Sequence, residues 1–268
     1  MTSDLDHLDK IEAAFQKTTQ ILFGQSLHSL RDYKTYLLRY VGGPVKRKSE
    51  VSDLSVYIPN IQFYTSIKKN FVTLEEALEI GKRALTKDAA TSLTLVNASE
   101  TLKPIKLFSS DAIEGENSNV QESTVYMNAH HCLGGVFYVY SKYCAYCFWP
   151  RESEYVFGCY YLFASKFCIQ CHNSVSLNRC FEVSDSNKCS DCYFCHNCEN
   201  LTDCMFCFKV KSMRYAIGNV ELPREKYLMI KNNLLKDLAS RLEKNKSLDL
   251  SIYSLSGPSS ATVPERHQ

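Results

Sequence analysis

The sequence has no excess of either charge and no long apolar run. It contains 31 Lys and Arg residues against 29 Asp and Glu, a formal net charge of +2 over 268 residues, and so gives no electrostatic signal for nucleic-acid binding. No uninterrupted apolar run approaches the roughly 18 residues that would predict a membrane span, and no basic and apolar leader opens the chain. Together with an odd count of 13 cysteines, these absences predict a cytoplasmic protein whose thiols are mostly reduced.

The sequence also lacks the short motifs that identify common enzyme classes. It has no phosphate-binding loop, no G-x-S-x-G nucleophile turn, no H-E-x-x-H zinc motif and no dinucleotide-binding fingerprint. We therefore name no catalytic residues and expect a protein that is not an enzyme.

Cysteine is absent from the first 131 residues and abundant after them. All thirteen cysteines lie between Cys132 and Cys207, and each has a residue number divisible by three. Random placement would put all of them in one three-residue register only about once in half a million sequences. In rows of twelve residues most of them form two columns, interrupted only by Val156 and Val183. This period predicts a small four-sided coil with one inward side chain on each side.

The positions that share this spacing carry no charge. Every third residue from Ala129 to Asn219 is uncharged, although 22% of the chain is charged. An unpartnered charge inside a narrow tube would be costly, so we predict that these side chains point inward. The predicted fold is a right-handed parallel β-solenoid with coils of about 12 residues, about seven to eight of them over residues 120–219.

The regions on either side of the repeats have helical signals. Residues 1–119 are predicted to form an N-terminal helical or α+β domain, with helices near 5–23, 30–40 and 74–86, a strand-like segment over 55–64 and a short strand at 92–96. Residues 220–246 are predicted to form a C-terminal amphipathic helix packed on the solenoid. Residues 247–268 are predicted as a short strand at 248–255 and a disordered tail from Gly257.

One outward column of the predicted coils is apolar along its length. This apolar stripe consists of Leu133, Ala145, Phe157, Ile169, Phe181, Tyr193, Met205 and Ile217. Soluble monomers rarely expose such a patch, so something must cover it. The C-terminal helix would be about 35 Å long and seven stacked strands span about 34 Å, which favours that helix as the cover. A second copy or another protein is the alternative.

The cysteines allow three interpretations. They could be structural thiols packed in the tube, pairs that form disulfides, or metal ligands. The best metal candidate is a set of two C-x2-C pairs on successive coils, with the spacing of zinc and iron–sulfur sites: Cys192, Cys195, Cys204 and Cys207. Because the coil period already explains this spacing, we favour structural thiols and no cofactor, with zinc or an iron–sulfur cluster as the alternative.

The histidines and aspartates of the repeats fall outside the inward series. They are therefore predicted to be solvated surface residues without a catalytic role: His130, His131, His172, His196, Asp185, Asp191 and Asp203.

Two stretches of the repeats carry a resemblance to known proteins. SKYCAYCFWPRESEYVFGC (Ser141–Cys159) and CSDCYFCHNCENLTDCMFCFKVKSMRYAIGN (Cys189–Asn219) resemble a family of uncharacterised cysteine-repeat β-solenoid proteins of archaea and small-genome bacteria. The likeness runs from about Val51 to Lys246 and implies a fold but no activity. The inward Cys, Ser and Ala are also similar to those of insect β-helical antifreeze proteins, whose ice-binding threonine columns have no counterpart here.

The sequence thus predicts a non-catalytic scaffold or protein-interaction protein. A solenoid offers long faces for a protein partner or for self-association, and the apolar stripe is the surface predicted to engage it. A metal or iron–sulfur protein that uses the inward cysteines is the alternative.

Overall fold

The residues before the first strand, 2–44, are called the N-terminal segment and begin with a long helix. The structure, a computed structural model, describes residues 2–256, with side chains for residues 8–255. Helix α1 (Thr2–Phe23) confirms the first predicted helix and leads through a 3₁₀ turn (Leu30–Tyr33) into α2 (Lys34–Leu37). The second helix is far shorter than predicted. The Glu12 carboxylate of α1 accepts hydrogen bonds from the Ser29 and Leu30 amides at 2.8 and 2.7 Å, and this contact fixes a tight turn there.

Residues 45–112, called the N-terminal module, contain only short elements. Strands β1 (Val45–Lys48) and β2 (Ser55–Ile58) pair antiparallel. Four helices follow: α3 (Gln62–Ser66), α4 (Leu74–Ile80), α5 (Lys87–Thr91) and α6 (Ala98–Thr101). A Thr73–Glu76 capping box starts α4 where the predicted helix 74–86 begins, but the helix ends at Ile80, earlier than predicted. The strand predicted at 92–96 is wrong: the Asn97 side chain accepts from the Thr94 amide at 2.7 Å and donates to the Ser92 carbonyl at 2.9 Å, which bends the chain into a turn.

A parallel β-solenoid of about nine coils, spaced by about 12 residues, confirms the predicted fold. It is longer than expected because residues 113–119, which precede the predicted solenoid, already pair with the next coil. Its strands are β3 (Ile113–Glu114), β4 (Ser118–Gln121), β5 (Thr124–Met127), β6 (His130–Leu133), β7 (Val136–Val139), β8 (Lys142–Ala145), β9 (Phe148–Arg151), β10 (Glu154–Phe157), β11 (Tyr160–Phe163), β12 (Lys166–Ile169), β13 (His172–Val175), β14 (Asn178–Ser184), β15 (Ser190–His196), β16 (Thr202–Met205), β17 (Arg214–Ile217) and β18 (Val220–Glu221).

The coil turns at residues in the left-handed region. Every third residue from Asn119 to Gly218 has a φ between +48° and +64°. Most residue types avoid this region, which Gly, Asn and Asp tolerate best. Several positions of the series carry these residues, among them Asn128, Asp191 and Asn200. Other corners hold aromatic rings, so the stacked hydrogen bonds of the sheet impose the conformation there.

The interior of the tube is lined by the predicted inward series. All thirteen cysteines are buried and unpaired as disulfides. Their thiols donate to carbonyls two residues earlier and, in most coils, nine residues later; Cys180 reaches Asn178 O and Cys189 O at 3.5 Å each. Ser153 uses the same pair of positions, at 2.9 and 3.2 Å. Serine and cysteine therefore serve equally as small inward residues that satisfy the backbone.

The helix that covers most of the apolar stripe is α1 rather than the C-terminal helix. It packs on β6, β8, β10, β12 and β14, with Phe15 against Phe157 and Phe23 against Phe181 at ring distances of 5.3 and 5.1 Å. The expected full-length cover by the C-terminal helix is therefore wrong. Helix α7 (Arg224–Asn245) packs on the last coil and on α1.

The segment after α7 is irregular. Residues 248–255, predicted as a strand, instead form turns that end in a 3₁₀ turn (Ser254–Ser256), because Ser251 and Ser254 exchange backbone and hydroxyl hydrogen bonds. The tail predicted from Gly257 lies outside the described residues.

Candidate functional site

The four candidate metal ligands lie inside the tube without converging on one point. Cys192 pairs in register with Cys204, and the thiols of Cys192, Cys195 and Cys207 donate to carbonyls of Ser190, Tyr193 and Met205 at 3.2, 3.5 and 3.5 Å. In the described part of the chain, no group of three or more His, Cys, Asp or Glu residues is arranged to hold a metal ion.

The inward thiols are inaccessible to substrates and reagents because all thirteen are buried. Their pKa values are not shifted in one direction. Burial raises the pKa of the Cys144, Cys147 and Cys195 thiols well above the usual value of 9.0, whereas hydrogen bonds with Cys195 and Cys204 lower the pKa of the Cys207 thiol to about 3. A thiolate attacks electrophiles or binds metals only where it is accessible to them. The interior therefore behaves as a packed core.

The apolar stripe is closed to any partner. Leu133, Phe157, Ile169, Phe181, Tyr193 and Met205 are at most 3% exposed and share one core with α1 and α7. The prediction that this stripe engages a partner is thus corrected, because the chain's own helices occupy it.

Several outward residues of the repeats pair with neighbours on the next coil or on α7. Arg179 donates two hydrogen bonds to the Asp191 carboxylate, at 2.8 and 2.6 Å. Asp203 forms an ion pair with Lys231 of α7 at 2.8 Å, and the His131 ring stacks on Tyr143. These contacts stabilise the stack and its cover.

His172 is the exception, and its prediction as a surface residue is wrong. Its side chain is buried, as are those of Gln170, two residues before it, and of Glu182, which lies one coil further at the same corner as Gln170. We call these three residues the polar cluster. Among the described residues, neither ring nitrogen of His172 nor Oε1 of Gln170 has a hydrogen-bond partner. Unsatisfied buried polar atoms are rare and need a physical explanation.

The polar cluster lies where the N-terminal segment meets the segment after α7. The Gln170 Nε2 atom donates to the carbonyls of Tyr36 and Leu37 at 2.8 and 3.0 Å. The Glu182 carboxyl accepts from the Ile252 amide at 2.9 Å and contacts the Tyr36 hydroxyl at 3.5 Å. Three regions distant in the sequence thus bury one carboxyl group.

Burial perturbs both ionisable groups of the cluster. Loss of hydration raises the pKa of Glu182 from 4.5 to about 8, against the lowering effect of the Ile252 amide and the Arg39 guanidinium. The same loss lowers the pKa of His172 from 6.5 to about 3. At neutral pH both side chains are therefore mostly neutral. Such opposed shifts in one place are typical of functional sites, although structural networks produce them too.

Sequence reasoning missed this cluster for a definable reason. Gln170 and Glu182 are corner residues with left-handed backbone. Four other corners of the same column are also buried: Gly134, Tyr146, Gly158 and Phe194. The groups that bond to the two polar side chains are distant in the sequence, Tyr36 and Leu37 for Gln170 and Ile252 for Glu182, so no local pattern reports these contacts. The glycine and apolar residues at the other corners were the signal in the sequence that this column is covered.

An open cleft of about 280 Å³ separates the N-terminal module from the first coils. It is lined by Lys34, Leu38, Pro44, Lys46, Tyr57, Glu122 and Gly134. The Glu122 carboxylate pairs with Lys34 at 3.3 Å and with Arg31 at 3.5 Å. The Glu122 carboxylate is already occupied by these two cations, and we assign the cleft no ligand.

The N-terminal module exposes large apolar side chains. Leu95, Val96, Phe63 and Leu78 are 99%, 96%, 70% and 63% exposed, the highest values for large apolar residues in the described chain. The core of the module contains little more than Val56, Ile58 and Phe71. The N-terminal module therefore has exposed apolar side chains that a partner could contact, whereas those of the apolar stripe are buried.

These features define a parallel β-solenoid protein with a buried cysteine core and a small apolar-surfaced module at one flank. No protein-family model matches the chain, and no curated protein matches its sequence. The resemblance to the cysteine-repeat family stays a prediction. No helix in the described residues is long and apolar enough to cross a membrane.

Proposed function

We propose that the protein is a non-catalytic protein-interaction protein, in which the solenoid is a rigid support and the N-terminal module contacts a protein partner. The single observation that carries this proposal is the concentration of the most exposed large apolar side chains in that module. A group of large apolar side chains exposed on one part of a protein is typical of surfaces that another protein covers.

The turn at residues 92–97 supports the proposal further. It carries Leu95 and Val96, and hydrogen bonds between Asn97, Thr94 and Ser92 hold its backbone. A turn held in this way presents its side chains without a large entropic cost on binding. The adjoining Leu93 is 40% exposed and extends the same apolar sequence.

The proposal is tested by site-specific photo-cross-linking in the cells that produce the protein. A benzophenone amino acid at position 95 should yield one discrete covalent adduct with a protein. The same amino acid at position 229 is the control, because Met229 is 59% exposed on α7, far along the chain from the module. Failure to form an adduct at 95, or identical adducts at both positions, would contradict the proposal.

A further inference from the structure

We propose that residues 247–253, called the strap, form a pH-responsive lid over the polar cluster, closed in weakly acidic solution and opening as the solution becomes alkaline. The inference is independent of the proposed partner surface, because it concerns the opposite terminus of the chain and a different set of residues.

The strap is held by a few contacts that can break without disturbing the solenoid. Glu182 accepts from the Ile252 amide at 2.9 Å, Arg39 donates to the Leu248 carbonyl at 2.8 Å, and the hydroxyls of Tyr40 and Ser251 lie 2.9 Å apart. Leu248 and Ile252 are buried. The strap belongs to neither sheet, so lifting it breaks no ladder hydrogen bond.

Closure of the strap is what keeps the polar cluster dry. The Tyr253 ring lies 5.5 Å from the His172 ring and 4.9 Å from the Tyr40 ring. On its outer side Tyr253 is 38% exposed, so this ring separates His172 from solvent. Opening would hydrate the bare ring nitrogens of His172 and the Glu182 carboxyl together.

Ionisation of Glu182 favours the open strap. The groups that face this carboxyl are the Tyr36 hydroxyl, the Arg39 guanidinium and, from inside the tube, the Cys159 thiol. With the strap closed, burial holds the pKa of Glu182 near 8, against 4.5 when hydrated. Its contribution to closure is therefore complete below pH 4.5 and is lost as the pH rises through 8.

Protonation of His172 acts in the opposite direction. Its ring lies against the rings of Tyr40 and Tyr253. The negative charge of Asp185 raises the pKa of His172, but by less than burial lowers it. Burial lowers its pKa from 6.5 to about 3, so its contribution to closure is complete above pH 6.5 and is lost as the pH falls through 3.

The two groups together predict a distinctive profile. Between pH 4.5 and 6.5 opening releases one proton from Glu182 and takes up one on His172, so the opening equilibrium is independent of pH. From pH 6.5 to 8 opening releases a proton without compensation. Protection of the strap should then fall about tenfold per pH unit and level off above pH 8.

Hydrogen–deuterium exchange with mass spectrometry, corrected for the intrinsic pH dependence of exchange, measures this directly. The peptide that carries the Ser251, Ile252 and Leu255 amides should show the profile, while peptides from β15 and β16 should keep their protection. A flat strap profile between pH 6.5 and 8 would overturn the proposal. So would a parallel loss in the solenoid peptides, because that would report global unfolding.

Two variants separate the limbs of the profile. Glu182→Gln stays neutral and keeps an acceptor for the Ile252 amide, so its strap should lose protection only below pH 6.5. His172→Phe keeps a ring between Tyr40 and Tyr253, so its protection should fall steadily from pH 4.5 to 8. Glu199→Gln, an exposed solenoid site paired with Lys211, is the control and should leave the profile unchanged. A wild-type profile in either folded cluster variant would refute the assignment.

Discussion

At the scale of single residues, the fold depends on a conformation that most side chains avoid. Every third residue of the solenoid is left-handed, and the interior is lined by uncharged side chains, most of them small or apolar. The three-residue period could be predicted because cysteine marks it so clearly. The left-handed corners could not, because aromatic residues such as Tyr143, Trp149 and Tyr155 occupy many of them, whereas local preference alone favours Gly, Asn and Asp.

Gly158 shows where a corner must be glycine. A Cβ atom there would lie 2.7 Å from the Leu37 carbonyl oxygen and 2.9 Å from Gln170 Nε2, at a φ of +64°. Gly158→Ala should lower the free energy of unfolding by about 2–5 kcal/mol, through strain and overpacking. Urea titration measures the change. Gly218→Ala, at a φ of +58° with no atom within 4 Å, is the control and should cost about 1 kcal/mol or less. Equal losses at both positions would show that the close approach of Leu37 is unimportant.

The state of the cysteines is also a residue-scale question. If all are structural thiols, a thiol reagent should find almost none in the native protein and all thirteen after denaturation. A chelator should not change the native count. If the chelator instead made Cys192, Cys195, Cys204 and Cys207 reactive, those residues would be metal ligands, and elemental analysis of natively purified protein would show bound zinc or iron.

At the scale of elements, either of two amphipathic helices, α1 or α7, could cover the apolar stripe. The stripe and both helices could be predicted from the spacing of apolar residues. The sequence does not predict which of the two helices covers the stripe, because both have suitable length and an apolar face. The aromatic residues of α1 decide it: Phe15 and Phe23 meet Phe157 and Phe181 edge to face, a geometry that adds to area burial.

Truncation of Phe15 should therefore loosen the main cover of the solenoid. Phe15 is 1% exposed and contacts both Phe157 and Tyr33. Phe15→Ala should lower the free energy of unfolding by about 3–5 kcal/mol. Ile21→Ala, on the same helix at a residue 37% exposed, should cost about 1 kcal/mol or less. Chemical denaturation compares them, and similar losses would mean that α1 contributes little through this contact.

Helix α7 is anchored by a charge rather than by apolar contact alone. The Lys231 ammonium pairs with Asp203 at 2.8 Å and lies over the rings of Tyr193 and Tyr227. Asp203→Asn leaves this sheltered ammonium without its carboxylate and should cost about 1–3 kcal/mol. Asp237→Asn, which breaks only an exposed pair with Arg241, should be nearly neutral. Thermal unfolding in low and high salt checks both, and a strong salt effect on the wild type would argue against a sheltered pair.

At the scale of the whole molecule, the C-terminal end of the solenoid is closed against further stacking. Strand β18 pairs antiparallel with β17, and the Asn219 side chain accepts from the Phe208 amide at 2.8 Å and donates to its carbonyl at 3.0 Å. The Asn219 amide thus takes the place of the next coil. An open edge of this kind would be a template for pairing with another chain. End-to-end stacking, which the repeat pattern alone allows, is therefore opposed at this end.

Removal of the Asn219 cap should allow this end of the solenoid to pair with the same end of a second molecule. Asn219→Ala frees the Phe208 amide and carbonyl, beside a ring already 36% exposed, while β18 still pairs with the edge of β17. We expect mass to increase with concentration in sedimentation or light-scattering measurements, and added urea at sub-denaturing concentration should reverse it. Asn200→Ala is the matched control, because Asn200 bonds to Ser212 on the flank of the coils and not at their end. If the Asn219 variant keeps the wild-type mass at every concentration, β18 alone suffices to close the edge.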